Sequence, residues 1–208
     1  MTLLDPHPPT RPARSTDRDV AVRILSEAFA HDPVISWMVP DAADRRQMLP
    51  SVFELFVDAF ARHDETHVVP TADVVAGVAL WAPPGTEPIH PDDETAFAAG
   101  LVDAVGPHMG RVGTVMELLA GSHPDEPAWY LQFLAVDPVV QGLGLGSRAL
   151  RGVLERGDAA GEAAYLEATS ERNRALYRRH GFRDVGQVAL PDGPTLHAMW
   201  RDPAPVRS

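Results

Sequence analysis

Apolar residues recur at helical spacing in the N-terminal third of the chain. After Asp17, a candidate N-cap, Val20, Ile24 and Ala28 form one file and Leu25 and Phe29 a second, which predicts an amphipathic helix. "HDPVISWMVPD" is expected to break it, because Pro33 and Pro40 are poor helix-interior residues. Met48, Leu49, Val52, Phe53, Phe56 and Phe60 then line one side of a second helix, from about Ala42 to His63. The pattern next becomes continuous: "VVAGVALWAPPG" reads as a buried strand closed by Pro83, Pro84 and Gly85. Residues 92–120 read as two short helices parted near "GPHMG".

The second half alternates more regularly. "AWYLQFLAV" is aromatic-rich and mostly apolar, as a central strand requires. A glycine-bearing segment follows, then a helix with Leu150, Val153 and Leu154 at helical spacing. "AAYLEAT" predicts another strand, and "ERNRALYRRH" a short helix ended by Gly181. "FRDVGQVAL" and "TLHAMW" make a final strand pair, joined by the turn residues "PDGP". Strands alternating with helices and closing in a hairpin imply an α/β domain with a mixed central sheet flanked by helices. Residues 16–208 read as that single domain. The first 15, with Pro6, Pro8, Pro9 and Pro12, read as a flexible N-terminal arm.

Charge and composition narrow the function classes. Eighteen Lys and Arg against 29 Asp and Glu give a formal net charge of −11, which argues against a nucleic-acid partner. The chain has no cysteine, so thiolate nucleophiles, disulfides and Cys-based zinc sites are excluded by chemistry. The nine histidines show no metal-ligand spacing, and no metal is expected. The N-terminal stretch lacks a basic and apolar leader pattern, and no apolar run approaches the ~20 residues of a membrane span. A soluble, cytoplasmic protein is expected.

The candidate chemistry centres on "VVQGLGLGSRAL". A strand, a glycine loop and a helix starting near Gly144 form an anion site: the first helical N–H groups are unpaired and the helix dipole is positive there. Glycines remove the Cβ atoms that would keep a pyrophosphate away, and Ser147 adds a hydroxyl. A ligand-free glycine turn would look the same in isolation. Gly144, Gly146 and Ala149 formally fit a dinucleotide fingerprint, with Glu167 where a ribose-binding acid would stand. The context disfavours that reading. "DPVVQGL" separates the strand from the first of those glycines, and too little chain follows to complete a doubly wound sheet.

Two spaced motifs select another ligand. Gln141-Gly142-Leu143-Gly144-Leu145-Gly146 resembles the coenzyme A pyrophosphate loop of the GNAT family of N-acetyltransferases, and "EATSERNRALYRRHGF" resembles its second signature. Residues 125–200, through "EPAWYLQFLAVDP", "YLEATSERN" and "LPDGP", look like the puromycin N-acetyltransferase branch; the N-terminal half agrees only loosely. The resemblance implies a single GNAT domain with splayed central parallel strands and a C-terminal antiparallel pair. It implies acetyl-CoA as cosubstrate and a small-molecule primary amine as acceptor, with direct transfer in a ternary complex.

Residue by residue, the resemblance puts the pantetheine arm along the backbone of Leu134, Ala135 and Val136, and the pyrophosphate on residues 141–147. Leu143 departs from the Arg or Lys common there, and Arg148 or Arg151 is offered as a substitute. Asn173 matches a polar contact to the pantetheine or thioester end, and Tyr177 the acid that protonates the departing thiolate. Glu167 is the candidate base, acting directly or through water, with a positioning carboxylate as the alternative. Asp32 and Trp37, with His31, are candidates to line the acceptor pocket. The competing classes are a non-catalytic acyl-CoA-binding or sensor domain of the same fold and, more remotely, a dinucleotide-dependent oxidoreductase.

Overall fold

Seven strands form one mixed sheet in the computed structural model, which describes residues 8–71 and 74–205. In chain order the elements are β1 (Arg11–Pro12), α1 (Arg18–Phe29), α2 (Pro33–Met38), α3 (Ala42–Ala61), β2 (Thr66–Pro70), β3 (Val75–Ala82), α4 (Glu94–Val105) and α5 (Met109–Ala120). There follow β4 (Ala128–Val136), α6 (Leu145–Ala160), β5 (Ala163–Ala168), α7 (Glu171–Arg179), β6 (Arg183–Ala189) and β7 (Thr195–Arg201). The spatial order is β1-β2-β3-β4-β5-β7-β6. Every neighbouring pair is antiparallel except β4 with β5, so the expected mixed sheet and C-terminal antiparallel pair are both present.

The parallel pair positions the site. β4 and β5 are in register only at Ala128↔Ala163, Trp129↔Ala164 and Tyr130↔Tyr165. Beyond Tyr130, β4 stays paired with β3 and β5 with β7, while their facing edges are no longer paired with each other. This is the expected splay. A bulge marks its start: Trp81 pairs with Leu131 and Leu80 with Phe133, which leaves Gln132 without a partner across the strand. A bulge adds twist to one strand and interrupts regular pairing.

Helices cover both faces. On one, α1, α3 and α4 pack on the sheet through a core that includes Ile24, Leu25, Phe53 and Phe60. On the other, α6 and α7 bury Leu145, Ala149, Leu150, Val153 and Tyr177. A smaller third cluster joins α2 and α5 to the β6–β7 hairpin through Val34, Val115, Val188 and Leu196.

Several expectations are corrected. "HDPVISWMVPD" holds a short helix, α2, because Pro33 sits in its first turn, where a missing N–H costs nothing, and Asp32 caps it. β2 has no counterpart in the hydrophobic pattern as read above. Asp17 precedes α1 but makes no side-chain cap; its carboxylate accepts from Arg11 (2.6 and 3.0 Å) and from the Arg14 amide (2.7 Å). Within the segment read as an arm, residues 1–7 lie outside the described residues, and Arg11–Pro12 pairs with His67 and Val68 of β2.

Arg45 fixes how the first three helices meet. Its buried guanidinium donates to the carbonyls of Ala30 (2.9 Å), Val39 (2.7 Å) and Pro40 (2.8 Å). Arg45→Ala leaves these acceptors without their charged donor, and a loss of about 2–4 kcal/mol is expected in urea unfolding.

Candidate active site

The loop between β4 and α6 is built by two capping devices. Asp137 Oδ1 accepts from the Val139 amide (3.1 Å) and caps one 3-10 turn, Pro138–Val140, so the spacer "DPVVQGL" is an ordered turn. Gly142 (φ 86°) and Gly144 (φ 77°) then adopt left-handed backbone. Among the described residues nothing lies within 4 Å of a Cβ built at either position, so conformation rather than crowding demands glycine there. Gly146 differs: a Cβ would come within 3.1 Å of Leu176 Cδ2, and glycine lets α6 approach α7.

Gly144 is the N-cap of α6 and offers no side-chain cap. The Arg148 amide bonds the Gly144 carbonyl (3.1 Å), so the amides of Leu145, Gly146 and Ser147 precede the helix's own acceptors. The Leu145 side chain is core, and only its backbone belongs to the loop surface. Leu143 is 68% exposed. Gln141 Nε2 donates to the Val136 carbonyl (3.2 Å) and ties the loop back to β4. Arg148 is corrected: its buried guanidinium turns to the carbonyls of Pro70 (3.2 Å) and Pro8 and braces β2. Arg151 is exposed on α6.

The free edge of β4 can be read from its alternation. The Asp137 amide donates to the Ala76 carbonyl of β3 (2.9 Å). Successive amides of an extended strand point to opposite sides. Ala135 therefore belongs to the β3 ladder, whereas Leu134 and Val136 turn their backbone groups toward the gap beside β5. Of the three residues expected along the pantetheine arm, two present main-chain groups to that gap and Ala135 does not.

A cavity of about 660 Å³ opens beside this gap and is lined by Glu167, Tyr130, Asp32, Thr169, Asn173 and Tyr177 among others. Glu167 lies on β5 past the last position paired with β4. The Tyr130 hydroxyl donates to its Oε2 (3.0 Å), while Oε1 is buried with no hydrogen-bond partner among the described residues. Burial pushes the Glu167 carboxyl up to about 7, and the neighbouring tyrosine hydroxyls pull it partly back. His123 packs edge-on against Tyr130 (4.8 Å) and Tyr165 (5.1 Å), walling this carboxylate with rings.

Tyr177 is buried on α7. Burial first, and the nearby Asp32 carboxylate second, push its phenol well above the usual range. Asn173 keeps its side chain out of the helix cap, because Ser170 Oγ accepts its amide N–H (3.2 Å). Asp32 lines the cavity, yet its oxygens are engaged. Oδ1 accepts from the amides of Val34 (2.9 Å) and Ile35 (3.2 Å), and Oδ2 from Thr169 Oγ1 (2.5 Å). Asp32 thus pins the start of α2 to the end of β5, and burial raises its carboxyl.

Trp37 is corrected: it does not line this cavity. Its Nε1 donates to the Pro191 carbonyl (3.1 Å), and Arg111 stacks on its ring (5.2 Å). Gly193 makes room, since a Cβ there would lie 2.5 Å from the indole. His31 is exposed and also outside the lining. The partners that sequence reading missed are Tyr130 and Thr169, whose contacts span 37 and 137 residues of chain. Among the described residues no cluster of His, Asp or Glu is arranged to hold a metal ion, and no helix is long and apolar enough to cross a membrane.

Comparison with known proteins agrees with this geometry. Residues 27–182 match the model of the acetyltransferase (GNAT) family. The chain is 30% identical to a Corynebacterium glutamicum protein described as histone acetyltransferase HPA2 and related acetyltransferase, over 97% of this chain and 99% of that one, with a TM-score of 0.73. Mosquito arylalkylamine N-acetyltransferase like 5b is similar in fold at 21% identity, covering 93% and 98% of the two chains with a TM-score of 0.58. So is the Drosophila melanogaster polyamine N-acetyltransferase that forms N-acetylagmatine, at 16% identity, 93% and 98% coverage and a TM-score of 0.59.

Proposed function

The chain belongs to the acetyltransferase (GNAT) family, and from that membership we propose that it moves an acetyl group from acetyl-CoA to a primary amine of a small molecule, directly within a ternary complex. One observation carries the reading. Leu134 on the unpaired stretch of β4, Glu167 and Tyr177 line one cavity, and the glycine-opened start of α6 meets α7, which carries Tyr177, at Gly146 and Leu176.

These residues fit coenzyme A. The amides at residues 142–147 and the space around Gly142 and Gly144 suit a pyrophosphate. The backbone of Leu134 and Val136 suits the amide-bearing pantetheine arm, and the Asn173 side chain its thioester end. Acetyl-CoA supplies an activated acetyl group as a thioester. Glu167, poised near 7, takes the ammonium proton on its carboxylate, directly or through a water. Tyr177, held protonated at neutral pH, gives its hydroxyl proton to the departing sulfur, and the phenolate so formed takes the excess proton of the acylated nitrogen. A backbone N–H at the β4 bend polarises the acetyl oxygen.

Leu143 leaves the pyrophosphate to main-chain amides. Leu143→Arg adds a charge-assisted but exposed contact and is expected to tighten acetyl-CoA binding about threefold at low salt, with the gain lost at high salt. Titration calorimetry at two ionic strengths reads this.

The activity itself is tested by thiol release from acetyl-CoA across an amine panel. Puromycin is included because residues 125–200 resemble that branch. Amine-dependent release with a matching N-acetyl product is expected. Stabilisation by acetyl-CoA without release would favour the binding-domain reading. Stabilisation by NAD(P) and not by acetyl-CoA would overturn the coenzyme assignment.

A further inference from the structure

The cavity is chemically divided. Phe29, Phe53, Phe56, Phe97 and Phe133 all line it, drawn from α1, α3, α4 and β4. They form one connected cluster. The Phe133 ring centroid lies 5.4 Å from Phe29, 5.2 Å from Phe53 and 4.9 Å from Phe56, which in turn is 5.0 Å from Phe97. Met38, Met48 and Met116 extend the same apolar wall with adaptable side chains.

The charged lining is of one sign. Asp32, Glu87, Asp125, Glu126 and Glu167 face the cavity, and among the described residues no lysine or arginine does. These acids are not equivalent. Glu87, Asp125 and Glu126 are exposed on the loops before α4 and β4. Asp32 is occupied by two amides and Thr169. Glu167 alone among the five combines a cavity position with a buried oxygen that accepts no hydrogen bond among the described residues.

We infer that the acceptor is a primary amine with a single positive charge on an extended apolar or aromatic body, its ammonium at Glu167 and its body in the phenylalanine chamber. This rests on the acetyltransferase reading of the site and deepens it. The cavity volume, about 660 Å³, is within the range that encloses drug-sized ligands. Magnitudes favour a monocation over a dication. A second cationic end would meet only the exposed acids of the rim, where a screened contact gains at most about fivefold. Each methylene moved from water into the chamber gains about threefold to fourfold, so three or four of them outweigh that contact. The rim acids act at longer range, drawing cations toward the mouth.

The test uses the wild-type enzyme and thiol release at saturating acetyl-CoA. Straight-chain amines from propylamine to octylamine share nearly one ammonium pKa, so differences report the body. Phenylbutylamine, putrescine and agmatine complete the series. The expected result is a kcat/KM that climbs about threefold per methylene, mainly through KM, with phenylbutylamine near the top. Putrescine and agmatine are expected at least tenfold below monoamines of matching length. If the dications match or exceed those monoamines, or if length has no effect, the inference is overturned while acetyl transfer stands. If no amine releases thiol although acetyl-CoA binds, the acetyltransferase reading and this inference fail together.

Discussion

Glu167→Gln is expected to lower kcat/KM for acetyl transfer by about a hundredfold to ten-thousandfold, the range over which a positioned base acts. The amide keeps the shape of the side chain and can still accept from Tyr130, but it cannot take the ammonium proton. Folding should not suffer. The Glu167 carboxyl is raised to about 7, so the folded protein prefers it neutral. That ionisation cost is absent below the ordinary carboxylate range and fully present above about pH 7, where a neutral glutamine removes it. Glu167→Gln is therefore expected to melt no lower than the wild type at pH 8.

On the proposed mechanism the same carboxyl sets the pH profile. The base is the ionised form, so kcat/KM should fall as pH drops through about 7. Tyr130 donates to Oε2 and stabilises that form, so Tyr130→Phe removes a contact that holds the value down. Its acidic limb should shift to higher pH, while activity well above the limb is largely restored. A structural role for Tyr130 alone would lower activity without moving the limb.

Tyr177→Phe should reduce kcat by about a hundredfold or more with acetyl-CoA affinity unchanged. The phenyl ring keeps its packing against Phe182 and its place on α7; only the hydroxyl proton is lost. Because both burial and Asp32 hold that proton on the phenol, no alkaline limb from Tyr177 is expected in the working range. Calorimetric titration with acetyl-CoA and steady-state thiol release separate the two effects. An unchanged kcat would remove Tyr177 from the acid role.

What was legible in the chain follows the reach of its local signals. The glycine loop, β4, β5 and α7 declare themselves because their turn residues and apolar runs act within a few positions. β2 escaped because a five-residue strand directly after a long helix, without a strong turn signal, leaves little period to read. α2 escaped because Pro33 and the nearby Pro40 look like breakers until Asp32 is seen as its cap. The bulge at Gln132 has no composition of its own; it appears only as a register shift against β3.

The site shows the same division. Glu167 and Tyr177 came from the family resemblance, whereas the Tyr130–Glu167 bond depends on the parallel register that sets Tyr130 beside Tyr165. Arg148 shows the opposite hazard. A basic residue in the first turn of α6 reads as a phosphate contact, yet its helical position points it at the β2 terminus. Trp37 is comparable, since the hairpin turn that receives it lies 154 residues away. No local pattern carries that contact.

The central claim is that coenzyme A occupies the gap between β4 and β5, and the most direct measurement is a crystal structure with coenzyme A bound. The account predicts pantetheine hydrogen-bonded to the main chain of Leu134 and Val136, pyrophosphate on the amides of residues 142–147, and sulfur near Tyr177 Oη. Coenzyme A bound elsewhere, with that strand edge uncontacted, would contradict it.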